Sequence, residues 1–467
     1  MTNLFDTICA PATPVGTGAI SLIRVSGPDT MAAVDRVVRF KRSTASQAPG
    51  YTLKYGTVEG LDDVLVALFR APNSYTGEDA AEISCHASPF IVSTLLERLA
   101  DAGCRLAEPG EFTRRAFLNG KMDLAQAEAV ADVIASSSSA QHRVAMSQLR
   151  GGYSAELRAL RKQLLELSAL LELELDFSEE EVEFAERSRL RALLDTACSH
   201  CRQLADSFRL GNAIRNGVPV AIVGAPNSGK STLLNALLQD DRAIVSDIPG
   251  TTRDTVEETC VIGGVLFRFI DTAGIRSASD EIERLGIERT FRKISEADIV
   301  LGVIDTASDS SREAVGRTVR DMAERIDFRQ QKLLVLANKC DISRLNKKVT
   351  ECDRFVLSFD NKSITIPVLE ISAKTGSGLE KLRSALISAV GNRAFEGTLV
   401  TNARHATALR EASASLSAVS DGLDRGLPTD LLAEDLRAAT ASIGTITGEI
   451  TSDEVLGEIF SRFCIGK

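Results

Sequence analysis

The sequence predicts an α+β domain at the N-terminus, an all-α domain, and an α/β phosphate-loop domain inserted between the two halves of the all-α domain. Three observations support this prediction. Short β-branched runs fill the first part of the chain, and apolar residues at helical spacing begin at Leu124 and return after Gly391. A strand, a glycine-containing loop and a helix follow one another between Val218 and Leu238. The predicted boundaries are 1–120, 121–216, 217–390 and 391–467.

The N-terminal part alternates short strand-like runs with turns. The runs are Ala19–Val25, Val64–Phe69 and Ala81–His86, and a helical pattern occupies Ile91–Gly103. This mixture predicts an α+β domain.

The helical parts lie on both sides of the inserted domain. Ala125–Ser138 is rich in alanine, Tyr153–Phe177 carries leucines at three- and four-residue spacing, and helical patterns return from Asn402 to Phe463. We expect the two halves to pack together, so that the inserted domain is connected to helices at both of its ends. Two phenylalanines near the C-terminus, Phe460 and Phe463, predict that the tail packs as well.

The phosphate-loop motif is residues 224–231, Gly-Ala-Pro-Asn-Ser-Gly-Lys-Ser. It follows the apolar strand Val218–Val223 and opens the helix Thr232–Leu238, which is the setting that such a loop requires. Glycines in the loop let backbone N–H groups surround phosphate oxygens, while Lys230 supplies a positive charge and the Ser231 hydroxyl a magnesium ligand. The motif predicts binding of a nucleoside triphosphate.

Three later segments at successive strand ends favour GTP over the alternative, ATP. Asp271-Thr272-Ala273-Gly274 places a carboxylate near the magnesium ion and a glycine amide near the terminal phosphate. In Asn338-Lys339-Cys340-Asp341, the Asp341 carboxylate can accept both N–H donors of the guanine edge, a pair that adenine lacks. Ser372-Ala373-Lys374 is the third base-contacting loop. Together the segments predict a Ras-like GTP-binding fold, with a Gly263-Gly264 hairpin between two of its strands.

The hydrolytic residues differ from those of Ras-like enzymes, which use a glutamine to position water. Here Ile275 follows Gly274 and cannot orient water. The loop Ser246–Thr252 can fold over the phosphates, and Thr252 offers a second hydroxyl to magnesium. The acidic stretch that contains Glu283 is, from spacing alone, better explained as a solvated loop.

Composition limits the cellular setting. The net charge of −10 gives no overall basic field, so an RNA partner would need a local basic patch. Met1–Ser21 has no lysine or arginine, which argues against a targeting peptide, and no stretch is apolar enough to span a bilayer. Nine cysteines without a signal indicate reduced thiols. We therefore expect a cytoplasmic protein without a membrane partner.

The motifs as a set resemble the MnmE family, also called TrmE, of bacterial tRNA-modification GTPases, and the similarity runs the length of the chain. Outside the nucleotide motifs, the most specific segments are Ile23–Gly27, Glu108–Val130 and Phe463–Lys467, which reads Phe-Cys-Ile-Gly-Lys. Era and Der share only the central part. Two departures from the family pattern are Ser246, where threonine is common, and Ala225, which is often arginine.

The resemblance implies an N-terminal domain similar to the folate-binding part of the glycine-cleavage T-protein. It would form a homodimer and hold a reduced folate, 5,10-methylene- or 5-formyl-tetrahydrofolate. By motif match, Arg24, Glu82, Lys121 and Lys467 would contact the folate. Its glutamate tail suits cations and its pterin N–H donors suit a carboxylate. Taken individually, Arg24 and Lys121 are equally well explained as surface cations.

The resemblance also implies roles in GTP hydrolysis. A potassium ion would take the place of an arginine finger, bound by Asn227, Ser246, Ile248 and Thr251. Glu283 would be catalytic, polarising water through a bridging water when two G domains meet, and Lys230 would act on the phosphates. Magnesium would be held by Ser231 and Thr252. The full set expected to bind GTP is Asn227, Ser228, Gly229, Lys230, Ser231, Thr232, Ser246, Asp247, Ile248, Pro249, Gly250, Thr251, Thr252, Asp271, Thr272, Ala273, Gly274, Asn338, Lys339, Asp341, Ser372, Ala373 and Lys374.

The implied function is a GTPase cycle that controls aminomethyl or carboxymethylaminomethyl addition at C5 of the wobble uridine in tRNA. Its partners would be tRNA and the FAD- and NADH-using protein MnmG, also called GidA. The chain itself has no G-x-G-x-x-G dinucleotide fingerprint. Two rival interpretations are a ribosome-assembly switch of the Era or Der kind and a folate-dependent aminomethyltransferase whose G domain is only structural.

Overall fold

The computed structural model describes most of the chain, in segments separated by gaps. The described residues are 6–14, 16–176, 187–240, 258–270, 294–307, 312–342, 354–359, 362–390, 397–461, 463–464 and 466. They form two compact units. The first contains residues 1–131, 148–198 and 411–467, and the second contains 132–147 and 199–410. The boundaries proposed from the sequence stay predictions.

The first unit begins with a seven-stranded sheet. Its strands are β1 (Ile8–Pro11), β2 (Ile20–Ser26), β3 (Arg39–Phe40), β4 (Thr52–Val58), β5 (Asp62–Phe69), β6 (Ala80–His86) and β7 (Arg105–Leu106). The spatial order is β3-β4-β5-β6-β2-β1-β7. All neighbours are antiparallel except β1 and β7, which are parallel. The α+β prediction is confirmed.

Helices cover one face of this sheet. They include α1 (Thr30–Val37) and α2 (Pro89–Asp101). The core between them and the sheet takes alternate residues of each strand, for example Ile23 and Val25 of β2 and Ile83 of β6, all fully buried. This alternation is what a sheet with one covered face requires.

The remaining helices of the described residues are α3 (Glu111–Leu118), α4 (Leu124–Ala135), α5 (Ser139–Leu149), α6 (Gly152–Asp176), α7 (Arg187–Asn216), α8 (Lys230–Asp240), α9 (Arg312–Ala323), α10 (Leu379–Val390), α11 (Ala403–Arg425), α12 (Thr429–Thr447) and α13 (Asp453–Ser461). In the first unit, α6 packs against α12. Leu157, Leu160 and Leu164 of α6 are fully buried at three- and four-residue spacing, and Arg161 forms an ion pair with Glu449 at 2.7 Å. The two helical halves therefore pack together, as expected.

The C-terminal segment packs on the first unit. Phe460 of α13 and Phe463 are buried in a cluster with Leu124. Gly110, at φ +69°, lies so close that a Cβ there would contact Phe463 Cβ at 3.0 Å. The prediction that the tail packs is confirmed for these residues.

The second unit is built on an α/β sheet. Its strands are β8 (Val218–Gly224), β9 (Glu258–Ile262), β10 (Val265–Phe269), β11 (Ile299–Asp305), β12 (Lys332–Asn338), β13 (Arg354–Phe359) and β14 (Lys362–Glu370). Among the described residues the order is β13-β14-β12-β11-β8-β10-β9, with the five inner strands parallel and the two edge strands antiparallel. This is the doubly wound topology predicted for a Ras-like phosphate-loop domain.

Residues of both sheet faces are buried, as expected for parallel strands covered by helices. Val220 and Leu301 belong to the cluster that includes α8 and α10, while Val300 and Val335 belong to the cluster on the opposite face with α9. Within the described ranges, every helix is too short or too polar to span a bilayer.

Candidate functional sites

The phosphate loop lies at the carboxyl edge of the parallel strands. Strand β8 ends at Gly224, between its neighbours β10 and β11, and α8 begins at Lys230. A Cβ on Gly224 would overlap the carbonyl oxygen of Val303 in β11 and approach Ser228 Oγ to 2.9 Å. Glycine is therefore needed at the first position of the motif for packing alone.

The loop backbone is shaped for an anion. Asn227 and Gly229 adopt left-handed conformations, with φ of 60° and 96°. Left-handed residues in so short a loop turn backbone N–H groups to a common side, which forms an anion-binding nest. Lys230 Nζ donates to the carbonyl oxygens of Gly224 and Ala225 at 2.9 and 2.7 Å, so its ammonium group lies at the loop.

Two hydroxyl groups adjoin this cradle. Ser228 is fully buried, and its Oγ has no hydrogen-bond partner among the described residues. Ser231 is half-buried in the first turn of α8, where helix N–H groups also point outward. A buried hydroxyl donor and a helix N-terminus fit a phosphate, and the Ser231 oxygen fits a hard cation such as Mg²⁺.

Asn338 joins the phosphate loop to the loops that would hold the base. It is 2% exposed at the end of β12. Its Nδ2 donates to the carbonyl oxygen of Ser228 at 2.8 Å, and its Oδ1 accepts from the Ala373 amide at 3.0 Å. One buried side chain thus fixes the distance between three segments that are far apart in sequence.

Lys339 and Asp341 follow on the surface. Lys339 adopts φ 65°, and its Nζ forms an ion pair with Asp305 Oδ2 at 2.6 Å. The ion pair holds the Lys339 ammonium group at the end of strand β11. Asp341 is exposed, so its carboxylate is accessible to a ligand. Burial, followed by the Asp341 charge, raises the pKa of the neighbouring Cys340 thiol.

The Ser372–Lys374 loop is held by its own backbone. The Ser372 amide donates to the Ser377 carbonyl oxygen at 2.9 Å, and the Ser372 carbonyl oxygen accepts from Gly376 at 2.9 Å. Ser372 and Ala373 are buried, whereas Lys374 is exposed. The loop is a closed turn at the same carboxyl edge as the phosphate loop.

In the N-terminal domain, Arg24 and Glu82 face each other across strands β2 and β6. Their Cα atoms are register partners, and Arg24 Nε and Nη2 both donate to Glu82 Oε1, at 3.1 and 2.8 Å. Both side chains are partly buried, with 18% and 26% of the side-chain surface exposed. Glu82 Oε2 is not part of this contact, and it gives the pair a carboxylate oxygen for a ligand donor.

Two aromatic rings flank the Arg24 guanidinium. Its Cζ lies 5.2 Å from the ring centre of Tyr75 and 5.7 Å from that of Phe112. The Tyr75 hydroxyl is hydrogen-bonded to Thr113 Oγ1 at 2.8 Å, and burial raises its pKa. The rings and the guanidinium together bring apolar and cationic groups side by side, a combination that suits a heteroaromatic ring.

The C-terminal tail also reaches Arg24. Nη1 of Arg24 donates to the Gly466 carbonyl oxygen at 3.4 Å. Gly466 lies so close to Pro11 that a Cβ would overlap the Pro11 carbonyl oxygen. Lys121 Nζ donates to the Pro72 carbonyl oxygen at 2.9 Å, in the loop that carries Tyr75. The same loop therefore contacts both Arg24 and Lys121.

A buried ionic network supports this loop. Arg115 is 1% exposed and contacts Asp6 at 2.5 Å, Glu111 at 3.0 Å and Glu78 at 3.2 Å. Burial alone would raise the pKa of Glu111, but hydrogen bonds from Arg105, the Glu108 amide and Arg115 outweigh it and lower that pKa. The pKa of Asp6 is likewise lowered, because hydrogen bonds from Arg105 and Arg115 overcome its burial.

Comparison with known proteins gives the family. The model of the GTP-binding protein TrmE N-terminus matches residues 7–121, and that of the MnmE helical domain matches 124–464. The tRNA modification GTPase MnmE of Bacteroides thetaiotaomicron is 50% identical over 472 residues, 99% of each chain. The chain belongs to the MnmE family. MnmE proteins of Christiangramia forsetii, 48% identical over all of both chains, and Porphyromonas gingivalis, 50% identical over 99% and 98%, are similar to it over the same length.

Several residues that the MnmE resemblance singles out lie outside the described residues. They are Ser246–Thr252, Asp271–Gly274, Glu283 and Lys467. Of the predicted potassium ligands, only Asn227 is described, and of the magnesium pair only Ser231.

Sequence reasoning missed three side chains that complete these sites in this MnmE-family chain. Asp305 ends β11 directly opposite Asn338 in register, so its position at a strand end was a usable signal. Tyr75 and Phe112 gave no local signal, because their contact with Arg24 requires a loop and a helix to converge on β2.

Proposed function

We propose that this chain is a potassium-dependent GTPase whose cycle drives (carboxymethyl)aminomethyl addition at C5 of the wobble uridine in tRNA. Membership of the MnmE family makes it a GTP hydrolase acting in tRNA modification. To this family activity we add three proposals: a requirement for potassium, a folate as one-carbon donor, and a flavin-containing partner protein. The observation that carries the proposal is the buried Asn338 side chain, which binds the phosphate loop and the Ser372–Lys374 loop into one site.

Within that site, the roles follow from charge and donor geometry. Lys230 neutralises the terminal phosphates, and Asp341 accepts the two N–H groups of guanine. Ser231 and Thr252 hold Mg²⁺ on the phosphates of GTP. Glu283 orients the attacking water, because Ile275 has no polar group for that task.

A potassium ion would be held by Asn227 and by oxygens of Ser246, Ile248 and Thr251. When bound, it offsets negative charge between the departing phosphoryl groups. The fit rests on the left-handed backbone of Asn227, which places this amide-bearing residue on the exposed rim of the phosphate loop.

A reduced folate, 5,10-methylene- or 5-formyl-tetrahydrofolate, would be held by Arg24, Glu82, Lys121 and Lys467. When bound, it supplies a one-carbon unit. The fit rests on the cation–carboxylate pair beside two aromatic rings, since the pterin offers N–H donors and a flat face and the glutamate tail offers negative charge.

The partners follow from this chemistry. The chain acts as a cytoplasmic homodimer, with tRNA as substrate and the FAD-dependent MnmG as partner. The flavin lies in the partner because this chain lacks a dinucleotide fingerprint.

Reconstitution tests the proposal. Undermodified tRNA is incubated with the chain, FAD-loaded MnmG, NADH, 5,10-methylene-tetrahydrofolate, GTP and an amine donor, ammonium for the aminomethyl product or glycine for the carboxymethylaminomethyl product. The wobble nucleoside is then measured by mass spectrometry. We expect modified uridine with GTP and none with a non-hydrolysable GTP analogue or when folate is omitted. Equal product with ATP alone, or without any nucleotide, would refute it.

A further inference from the structure

In the sequence, the β9–β10 hairpin lies between two segments predicted to reach the nucleotide. Ser246–Thr252 is predicted to fold over the phosphates, and Asp271–Gly274 is predicted to reach the magnesium ion and the terminal phosphate. Strand β9 begins at Glu258, after the loop Ser246–Thr252, and β10 ends at Phe269, just before Asp271. The strands pair in register up to Ile262 and Val265. The hairpin is therefore connected along the chain to both segments, and we expect a displacement of either one to act on it.

The turn of the hairpin caps helix α5. The Gly264 carbonyl oxygen accepts from the Ala140 amide at 3.1 Å and from Ser139 Oγ at 3.3 Å. First-turn amides of a helix have no partner within the helix, so the turn provides one that Ala140, at 2% exposed, could not obtain from water. Ala140 also shares a hydrophobic cluster with Val265 and Phe267 of the hairpin.

The fit around the turn is tight on two sides. Gly263 and Gly264 have φ of +58° and +81°, as a two-residue type I′ turn requires. A Cβ on Gly264 would overlap Ser139 Oγ, and a Cβ on Gly263 would overlap Ile387 Cδ1 of α10. The turn is therefore enclosed between α5 and α10, and a side chain at either glycine would have to meet Ser139 or Ile387.

The beginning of α5 is bonded onward to two other helices. Gln141 Nε2 donates to the Arg215 carbonyl oxygen near the end of α7 at 2.9 Å. The Arg215 guanidinium forms an ion pair with Asp132 of α4 at 2.7 Å. Beyond Arg215 the chain passes into β8 and the phosphate loop, so the same helix ends are connected to the nucleotide site from both directions.

We propose that the contact between the Gly263-Gly264 turn and the start of α5 is the joint through which the nucleotide state reaches the helices. The inference rests on the proposed function, because it requires a GTP cycle. In one nucleotide state the Gly264 carbonyl caps α5, and in the other the turn shifts and the cap is lost or displaced. Ser139, Ala140 and Gln141 are positioning residues in this step, remote from the reacting phosphates.

A reversible cross-link tests the joint. An ideal Cβ on Gly264 lies 3.7 Å from Ser139 Cβ, within the Cβ separation of natural disulfides. The double variant Ser139→Cys with Gly264→Cys is therefore oxidised with glutathione disulfide in the full-length protein, with either single variant as control for the native cysteines. The rate of cross-linking is measured with GDP and with a non-hydrolysable GTP analogue.

We expect the two rates to differ by at least about fivefold, the lower end of typical coupling between sites. Equal rates would overturn the proposal. The cross-linked protein should hydrolyse GTP at a rate within about twofold of that of the reduced protein. Its rate of tRNA modification should fall by about tenfold or more, and reduction of the disulfide should restore that rate. Full modification by the cross-linked protein would also overturn the proposal.

Two controls keep the result interpretable. If circular dichroism shows that the reduced double variant is unfolded, Gln141→Ala replaces it, since this change loosens α5 from Arg215 without altering the turn. The Gln141→Ala variant should modify less tRNA while its GTP hydrolysis is preserved. Unchanged tRNA modification in this variant would refute the proposed role of the joint. The wild-type protein is assayed in parallel to separate the two hypotheses. If the wild type fails to hydrolyse GTP or to modify tRNA, the proposed function is contradicted. If the double variant cross-links at the same rate in both nucleotide states, only the proposed joint is contradicted.

Discussion

The nucleotide site is built differently from the group of residues around Arg24. We call that group the Arg24 pocket, and it consists of Arg24, Glu82, Tyr75, Phe112 and the Gly466 carbonyl oxygen. The nucleotide site uses short contiguous segments, each following a parallel strand, and its key contacts are made by backbone groups and by one buried amide, Asn338. The Arg24 pocket takes single side chains from β2, β6, a loop and α3, together with a backbone carbonyl of the tail at Gly466. A site made from contiguous backbone is visible in the sequence, whereas one assembled by strand pairing is visible only in the fold.

The two regions also differ in how their charged and polar groups find partners. The phosphate loop presents N–H groups and one lysine to an incoming anion. The N-terminal region pairs its charges internally, as Arg115 does with three carboxylates. Ligand binding at Arg24 must therefore compete with, or add to, an existing ion pair. We therefore expect the nucleotide site to discriminate sharply between nucleotides. At the Arg24 pocket, we expect substitutions to change ligand affinity by smaller, graded amounts.

The largest expected effect sharpens the role of the nucleotide region. Glu283→Ala should lower GTP turnover by about 100-fold or more, as for loss of a general acid–base group, while the Kd for GTP stays within about threefold. Rates and Kd are measured by phosphate release and by fluorescent nucleotide titration. Glu281→Ala, in the same acidic stretch, is the matched control and should retain turnover. Parallel loss of binding in Glu283→Ala would indicate misfolding instead.

Base recognition should respond nearly as strongly. Asp341→Asn should weaken GTP binding by about 100-fold, because an amide cannot accept both guanine N–H donors. The same variant should bind xanthosine triphosphate more tightly than GTP, since the xanthine edge complements the amide. Competition titration with both nucleotides measures the switch. An unchanged preference for guanine would contradict the assignment of Asp341.

The Arg24 pocket should give a smaller, graded response. Arg24→Ala should weaken binding of 5-formyl-tetrahydrofolate by about 10-fold, and Arg24→Lys by less, because the charge remains while the stacked plane is lost. Calorimetric titration provides the affinities. Arg39→Ala, at a side chain 78% exposed, serves as control and should bind normally. Unchanged affinity of Arg24→Ala for the folate would contradict the assignment of the folate site to this pocket.

The same contrast explains how far the sequence predicts the structure. The strand predicted at Val218–Val223 is observed at Val218–Gly224, because buried parallel strands are continuous apolar runs. Helices α1 and α3 were not predicted, since eight residues each are too few to establish a helical period. The Arg24–Glu82 pair required the β2–β6 register, which no local pattern specifies. Family resemblance, rather than periodicity, selected those residues.

The smallest effect concerns the network beneath the Arg24 pocket. The folded-state pKa values of Asp6 and Glu111 are lowered, so their contribution to stability is present above the ordinary carboxylate range of about 4 and is lost as the pH falls through the folded-state values. Glu111→Gln should lower the free energy of unfolding at pH 7 by about 1–3 kcal/mol and flatten its decline on acidification.

Tyrosine fluorescence during urea unfolding measures this, because the chain has no tryptophan and all four tyrosines lie in the first unit. The exposed Glu97→Gln on α2 is the matched control and should leave the pH dependence unchanged. An equally steep acid dependence in Glu111→Gln would show that the network does not govern the stability of this region.

The most direct test of the account compares GTP hydrolysis in potassium and in sodium at equal ionic strength, for the wild type, Asn227→Ala and the control Asn235→Ala. We predict stimulation by potassium of about tenfold or more in the wild type and in Asn235→Ala, and none in Asn227→Ala despite retained GTP binding. Equal wild-type rates of GTP hydrolysis in the two salts, or full potassium stimulation of Asn227→Ala, would contradict the proposed potassium site.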